Sequence, residues 1–145
     1  MSALAALPVS PLQKDVSLFR LYLLRLLYLV WAAGLLVRVG PRFFPADLSQ
    51  PVMDTVVNSV LIGLALTALV GLRYPLRMLP LMLFEITWKT AWLVSIGLPL
   101  WARAELDAQH IEVMKAVATV VVFPLVIPWG YVFRCYIIAP GDRWK

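Results

Sequence analysis

The sequence predicts an all-α fold, a bundle of four transmembrane helices joined up and down by antiparallel connections. Three observations carry that expectation. Hydrophobic residues make up 62% of the chain and charged residues only 14%, too few polar groups to coat a soluble core. The apolar residues fall in four long runs, each sufficient at 1.5 Å per residue to cross a hydrocarbon layer of about 30 Å. Short segments that collect Pro, Gly and charge separate the runs, and such punctuation marks membrane spans rather than surface helices. The 145 residues then form a single membrane domain.

The first span is expected over residues 17–39, with Asp15 or Ser17 as its N-cap and Gly40-Pro41 as its stop. Residues 1–16 lack a charged region leading into an apolar core, so no cleavable signal is expected and this span is retained. The segment from Pro41 to Pro51 is too rich in proline for a helix, and Phe43 and Phe44 suit the headgroup boundary. It reads as an interfacial loop.

The second span is expected over 52–72, opened by Pro51, with Asp54 near its positive end and Gly71 as its C-terminal cap. So few residues lie between Gly71 and Pro75, where the third span (76–100) opens, that the second and third helices should be antiparallel neighbours in contact. The fourth span is expected to open near Asp107 or Glu112 and to continue to Ile138 (112–138 at its shorter bound), stopped by Pro140-Gly141. Pro124 and Pro128 inside it each remove a backbone donor, which predicts a kinked fourth helix.

Orientation follows from the basic residues that flank the spans. Lys14, Arg20, Arg73, Arg77, Arg134, Arg143 and Lys145 make seven on one side, against Arg38, Arg42, Arg103 and Lys115 on the other. The excess places both termini in the cytoplasm. The formal charge of +5 would suit nucleic acid if it lay on one soluble face. Because it sits at the ends of apolar runs, anionic lipid headgroups are the expected partner instead, with Arg73, Arg77 and Arg134 as candidate contacts.

The residues that could carry chemistry are charges at membrane depth. Glu85 and Lys89 lie inside the third span, where an ionised side chain costs about 2.5–3.5 kcal/mol on insertion scales. Their i, i+4 spacing puts them on one face, with the acid on the favourable N-terminal side. Trp88 and Trp92 flank that face, offering a cation–π surface and an indole donor. Arg25 in the parallel first span should lie at a depth of roughly 12 Å and Glu85 at roughly 13 Å, so the two can meet. Asn58 and the carbonyls freed near Pro124 should lie close to the level of Lys89, at roughly 20 Å.

The candidate polar cluster is therefore Arg25, Asn58, Glu85, Trp88, Lys89 and Trp92. With two cations and one anion it is short of negative charge. Arg25 snorkels to the interface, or Lys89 is neutral, or an anionic group completes the set. Three readings stand: structural glue between helices, a proton or ion relay through Glu85 and Lys89, and a catalytic or lipid-binding pocket.

Other chemistry is narrowed by composition. The single Cys135 excludes a disulfide framework, a dithiol pair and a cysteine-rich metal site, and reads as a small filler near a helix end. His110, the only histidine, excludes haem held by paired histidines and reads as solvated. No nucleophile with a paired base, phosphate loop, metal spacing or dinucleotide fingerprint is present. Neither cofactor nor metal is expected, and enzyme activity is unsupported.

The runs LRYPLRMLPLMLFEITWK at 72–89, PLVIPW at 124–129 and PGDRW at 140–144 resemble those of small uncharacterised bacterial four-helix inner-membrane proteins. The resemblance covers most of the chain. It implies a bacterial inner membrane and carries no activity. Small multidrug transporters fit poorly, since they centre on a glutamate in the first span where this chain has Arg25, and thiol-oxidising families need cysteine pairs. The functional expectation is an accessory, scaffold or interaction protein that packs against itself or a membrane partner. The alternative is a small ion- or proton-coupled transporter using Glu85 and Lys89.

Overall fold

The computed structural model describes residues 16–44 and 49–140. Lys14, Asp15, Gly141, Arg143, Trp144 and Lys145, which entered the cap, stop, charge and motif expectations, lie outside them. Four helices long and apolar enough to cross a membrane, α1 (Leu18–Phe43), α2 (Val52–Arg73), α3 (Leu79–Ala102) and α4 (Ala108–Val126), are followed by a short α5 that joins Trp129–Val132 to Phe133–Ile138.

Helix α1 starts where Ser17 accepts a hydrogen bond from the Arg20 N–H at 3.3 Å, satisfying one of the first-turn donors. It does not stop at Gly40-Pro41 as expected but continues through Pro41 to Phe43. A proline so near the end forfeits only one ladder bond. The Phe44 N–H donates to the Gly40 carbonyl at 2.8 Å, and the Phe43 and Phe44 rings meet edge to face at 4.7 Å.

Helix α2 runs antiparallel along α1. Buried Ala32, Ala65 and Ala68 let the two backbones approach, as small residues do between membrane helices. Gly71 is not the cap the sequence suggested: it lies inside the last turn, and the helix ends at Arg73. A Cβ at Gly71 would lie 2.6 Å from the Tyr28 ring, so the glycine makes room for an aromatic ring.

The expected contact between the second and third helices is corrected. Residues 75–78 form a turn, and α3 starts at Leu79 rather than Leu76. That turn is fastened to α1, since Arg25 Nε donates to the Leu72 carbonyl at 3.1 Å and the Tyr28 hydroxyl to the Pro75 carbonyl at 3.2 Å. Helix α3 packs on α4 instead, and α4 meets α1 through an edge-to-face contact of Trp31 with Phe123 at 5.5 Å. The close neighbours thus run α2, α1, α4, α3.

Within α3 the bonding shifts to π turns over Leu93–Gly97, with the Leu98 N–H reaching the Leu93 carbonyl just ahead of Pro99, which has no N–H to give. The helix closes at Ala104, which adopts a left-handed φ of 56°, while the Glu105 N–H returns to the Leu100 carbonyl at 3.0 Å.

The fourth span begins at Ala108, the earlier of the two expected starts, where Asp107 accepts the His110 N–H at 2.8 Å. It tightens into a 3-10 turn over Thr119–Val121 and ends at Val126. Ile127 is extended (φ −60°, ψ 128°), the conformation that a following proline favours. The expected kink is present, and it is sharp enough to break the helix at Ile127-Pro128.

Leu24, Tyr28, Leu79, Met82 and Ile127 form the centre of the core and are fully buried. Around them, only 17–28% of each span's most apolar window is buried. Side chains such as Phe19, Val37 and Leu125 point outward. So much exposed apolar surface on four long helices requires hydrocarbon as the solvent.

Candidate functional site

Glu85 and Lys89 lie one turn apart on the face of α3 that meets α4, and they are the two buried charged residues among those described, with 3% and 7% exposure. Lys89 Nζ lies 2.9 Å from Glu85 Oε1. The second carboxylate oxygen accepts a short hydrogen bond from Trp88 Nε1. Lys89 also donates across the interface to Thr119 Oγ1 at 3.2 Å. Its ammonium lies 5.7 Å from the Trp88 ring centroid and 5.6 Å from that of Phe123, within cation–π range. Thr119 in turn donates to the Ala116 carbonyl at 2.7 Å.

The pair is thus self-neutralising on its own helix and tied to α4 by one polar bond and one aromatic face. Among the described residues no buried side-chain nitrogen or oxygen is left without a partner. An ion pair inside a membrane persists under just these terms, since any unmet charge there costs several kcal/mol.

The other members of the expected cluster lie elsewhere. Arg25 does not reach Glu85. Its Nε bonds the Leu72 carbonyl and its guanidinium lies 5.4 Å from the Tyr22 ring centroid. Both oxygens of Glu85 are already occupied on α3, whereas the end of α2 offers Arg25 the negative pole of a helix. Arg25 extends instead to the carboxyl end of α2.

Asn58 does not meet Lys89 either: its amide donates to Gln50 Oε1 at 3.1 Å, because α2 packs on α1 and carries Asn58 away from α3. Trp92 packs over Gly97, where a Cβ would lie 3.0 Å from its ring. No bond joins it to Glu85.

The carbonyls freed in the fourth span do not serve Lys89. Pro128 cannot donate to the Pro124 carbonyl, which accepts instead from Trp129 Nε1 at 2.9 Å. Thr119 and Phe123 are the partners that sequence reasoning missed. Lys89 needs an acceptor on a neighbouring helix, and among residues 113–126 Thr119 is the one with a side-chain hydroxyl.

At the end of the bundle formed by the start of α1 and the α2–α3 turn, Arg73 and Arg77 lie 5.6 and 5.7 Å from the Tyr74 ring centroid. Arg134 Nε bonds the Gly130 carbonyl at 3.0 Å. At the other end His110 Nδ1 lies 2.8 Å from Asp107 Oδ1. The backbone and imidazole bonds from His110 hold the Asp107 carboxyl below its ordinary value. Cys135 is half-buried and is not in a disulfide. Among the described residues no group of three or more His, Cys, Asp or Glu is placed to hold a metal ion.

Fold and site together define a multi-pass, all-helical membrane protein with a closed ion pair between α3 and α4. Comparison with family models, with curated proteins and with solved structures finds no match.

Proposed function

We propose that the chain is an accessory or scaffold protein of a bacterial inner membrane, with both termini in the cytoplasm. In this reading the Glu85–Lys89 pair is a structural clasp. The supporting observation is its closure. Glu85 is bonded through both oxygens, and the ammonium of Lys89 is held by Glu85, Thr119 and two aromatic faces. A relay group must exchange partners as its charge moves, and a clasp must keep them. The outward apolar faces of the helices suit packing against a second copy or a membrane partner. The arginines at 73, 77 and 134 suit anionic headgroups, as the excess of basic residues on that side suits a cytoplasmic face.

The test compares flux with assembly. Reconstituted in liposomes, the protein should move no more protons or cations than empty vesicles do. Glu85→Gln should lower the yield of folded protein. A variant that keeps its fold while abolishing a measurable wild-type flux would establish the transporter instead. Reporter fusions at residue 145 and within 103–110 should report cytoplasm and exterior, respectively. The opposite result would reverse the orientation.

A further inference from the structure

The bonding across the Ile127-Pro128 break differs from that of an ordinary proline kink. The Ile127 N–H still reaches the Phe123 carbonyl at 3.0 Å, where the ladder of α4 ends. The Trp129 N–H then turns back to the Ile127 carbonyl at 3.0 Å, and Pro128, at φ −77° and ψ 83°, lies near an inverse γ-turn. The amides of Tyr131 and Val132 bond to the Pro128 carbonyl and so belong to α5. What reaches from α5 back to α4 is a side chain. Trp129 Nε1 donates to the Pro124 carbonyl at 2.9 Å, the acceptor that an amide at position 128 would otherwise serve.

The pivot is fixed and the segment beyond it is lightly seated. Ile127 has no exposed surface and Pro128 is buried, so the joint is anchored in the core. The ring of Pro128 locks its own φ, which leaves ψ of Ile127 and ψ of Pro128 as the soft torsions. The Trp129 ring lies 6.5 Å from that of Phe133, so the indole travels with α5 while its N–H holds α4. Among the described residues α5 contributes one buried side chain to the core, Val132, with Tyr131 packed partly buried beside it. Its remaining length, Phe133–Ile138, is wound in π turns, which occur often at functional sites. Few buried apolar contacts mark a unit that can open separately from the rest of a fold.

We propose that Ile127-Pro128 is a hinge and the Trp129 indole its latch, so that breaking the indole–carbonyl bond frees α5 to swing from the end of the core that Val132 and Tyr131 cover. Two torsions absorb the change while the helices on either side stay intact, as in other hinged elements. The two states are discrete because Pro124 lies within a membrane span, where a carbonyl without its donor has no water to turn to.

Cys135, the chain's one cysteine, is half-buried and lies three residues beyond Val132, on the same face of α5. Its rate of reaction with a water-soluble maleimide therefore reports opening in the full-length protein in detergent, each rate taken relative to the same variant unfolded. Trp129→Phe keeps the ring and removes the donor, and should raise the rate about three- to tenfold, the worth of one hydrogen bond. Trp101→Phe, the same change at the far end of α3, should alter it less than about twofold.

Pro128→Ala supplies the amide that the Pro124 carbonyl lacks. Added to Trp129→Phe it should return the rate to the wild-type value or below, which a mere loss of packing at Trp129 would not allow. Made alone, it should slow the wild-type reaction by about threefold or more, and this arm stands even where Trp129→Phe fails to fold. An unchanged rate in folded Trp129→Phe, an equal rise in Trp101→Phe, or no slowing by Pro128→Ala in either background would overturn the hinge. None of these outcomes bears on liposome flux or reporter topology, so the hinge stands or falls separately from the scaffold reading.

Discussion

The α1–α2 and α3–α4 interfaces solve the same problem by different means. Between α1 and α2, alanines and Gly71 bring the backbones close, Tyr28 fills the space over the glycine, and the polar bonds from Arg25 and Tyr28 end on carbonyls at the end of the helix pair. Between α3 and α4 the buried face carries Glu85 and Lys89, neutralised along one helix and fastened to the other by Thr119 and Phe123. Shape therefore holds the first interface and charge balance holds the second. Errors in shape can be relieved by small shifts, whereas an orphaned charge in hydrocarbon cannot be.

The largest expected effect follows from that asymmetry. Glu85→Gln leaves Lys89 buried without its acid and should cost about 3–5 kcal/mol, the range for breaking one side of a buried pair. Adding Lys89→Met removes the second charge and should recover most of the loss, so the double variant should be more stable than Glu85→Gln alone. Thermal unfolding in detergent of both single variants and the double variant measures the coupling. A coupling near zero would show that the α3–α4 interface does not depend on charge balance.

The shape-held interface is probed at Gly71. Gly71→Ala drives a Cβ to within 2.6 Å of a Tyr28 ring that has no exposed surface and should destabilise by about 1–3 kcal/mol. Gly63→Ala, on the same helix with nothing within 4 Å, should be neutral or stabilising by up to about 1 kcal/mol. If both behave alike in unfolding assays, helix propensity rather than close packing governs α2.

Much of this was legible in the sequence, and the misses share a cause. The four apolar runs, the i, i+4 pairing of Glu85 with Lys89 and the proline-disrupted fourth span all follow from spacing along one chain segment. For Arg25 and Asn58 the sequence specifies only depth, which says how far along a helix a residue lies but not which neighbour it faces. Depth matching placed Arg25 level with Glu85, yet the packing order α2, α1, α4, α3 sends it to the Leu72 carbonyl. Gly71 suggests a cap in the sequence because glycine near a helix end usually is one. Its actual neighbour, the Tyr28 ring, lies 43 positions earlier and leaves no local signature.

A smaller effect is expected at the one side-chain hydrogen bond that Lys89 makes to α4. Thr119→Val keeps the shape and removes the acceptor, leaving the Glu85 pair intact. Interhelical polar bonds in membranes average about 0.6 kcal/mol, so the loss should be near that value and additive with Gly71→Ala, which lies at the other interface. A loss as large as that of Glu85→Gln would mean that charge is balanced across the helices rather than along α3.

The smallest effect lies at the outer rim, where the charge-held helix pair begins. Asp107 caps α4 through the His110 N–H, and its carboxyl is held below the ordinary aspartate value mainly by that backbone bond and next by the imidazole. A carboxyl whose folded-state pKa is depressed contributes stability that is fully present above its unfolded value of about 3.9. That contribution is lost as pH falls through the lower folded value. Protection of the first-turn amides of α4 from hydrogen exchange should therefore be level from neutral pH down to about the ordinary aspartate range, and weaken below it. Asp107→Asn keeps a capping oxygen without the charge, so the same amides should show no such step. The Glu85–Lys89 contact lies further along the bundle and should be indifferent to this substitution. A stability change transmitted from Asp107→Asn to that pair would show that the two ends of α4 are coupled through its 3-10 turn.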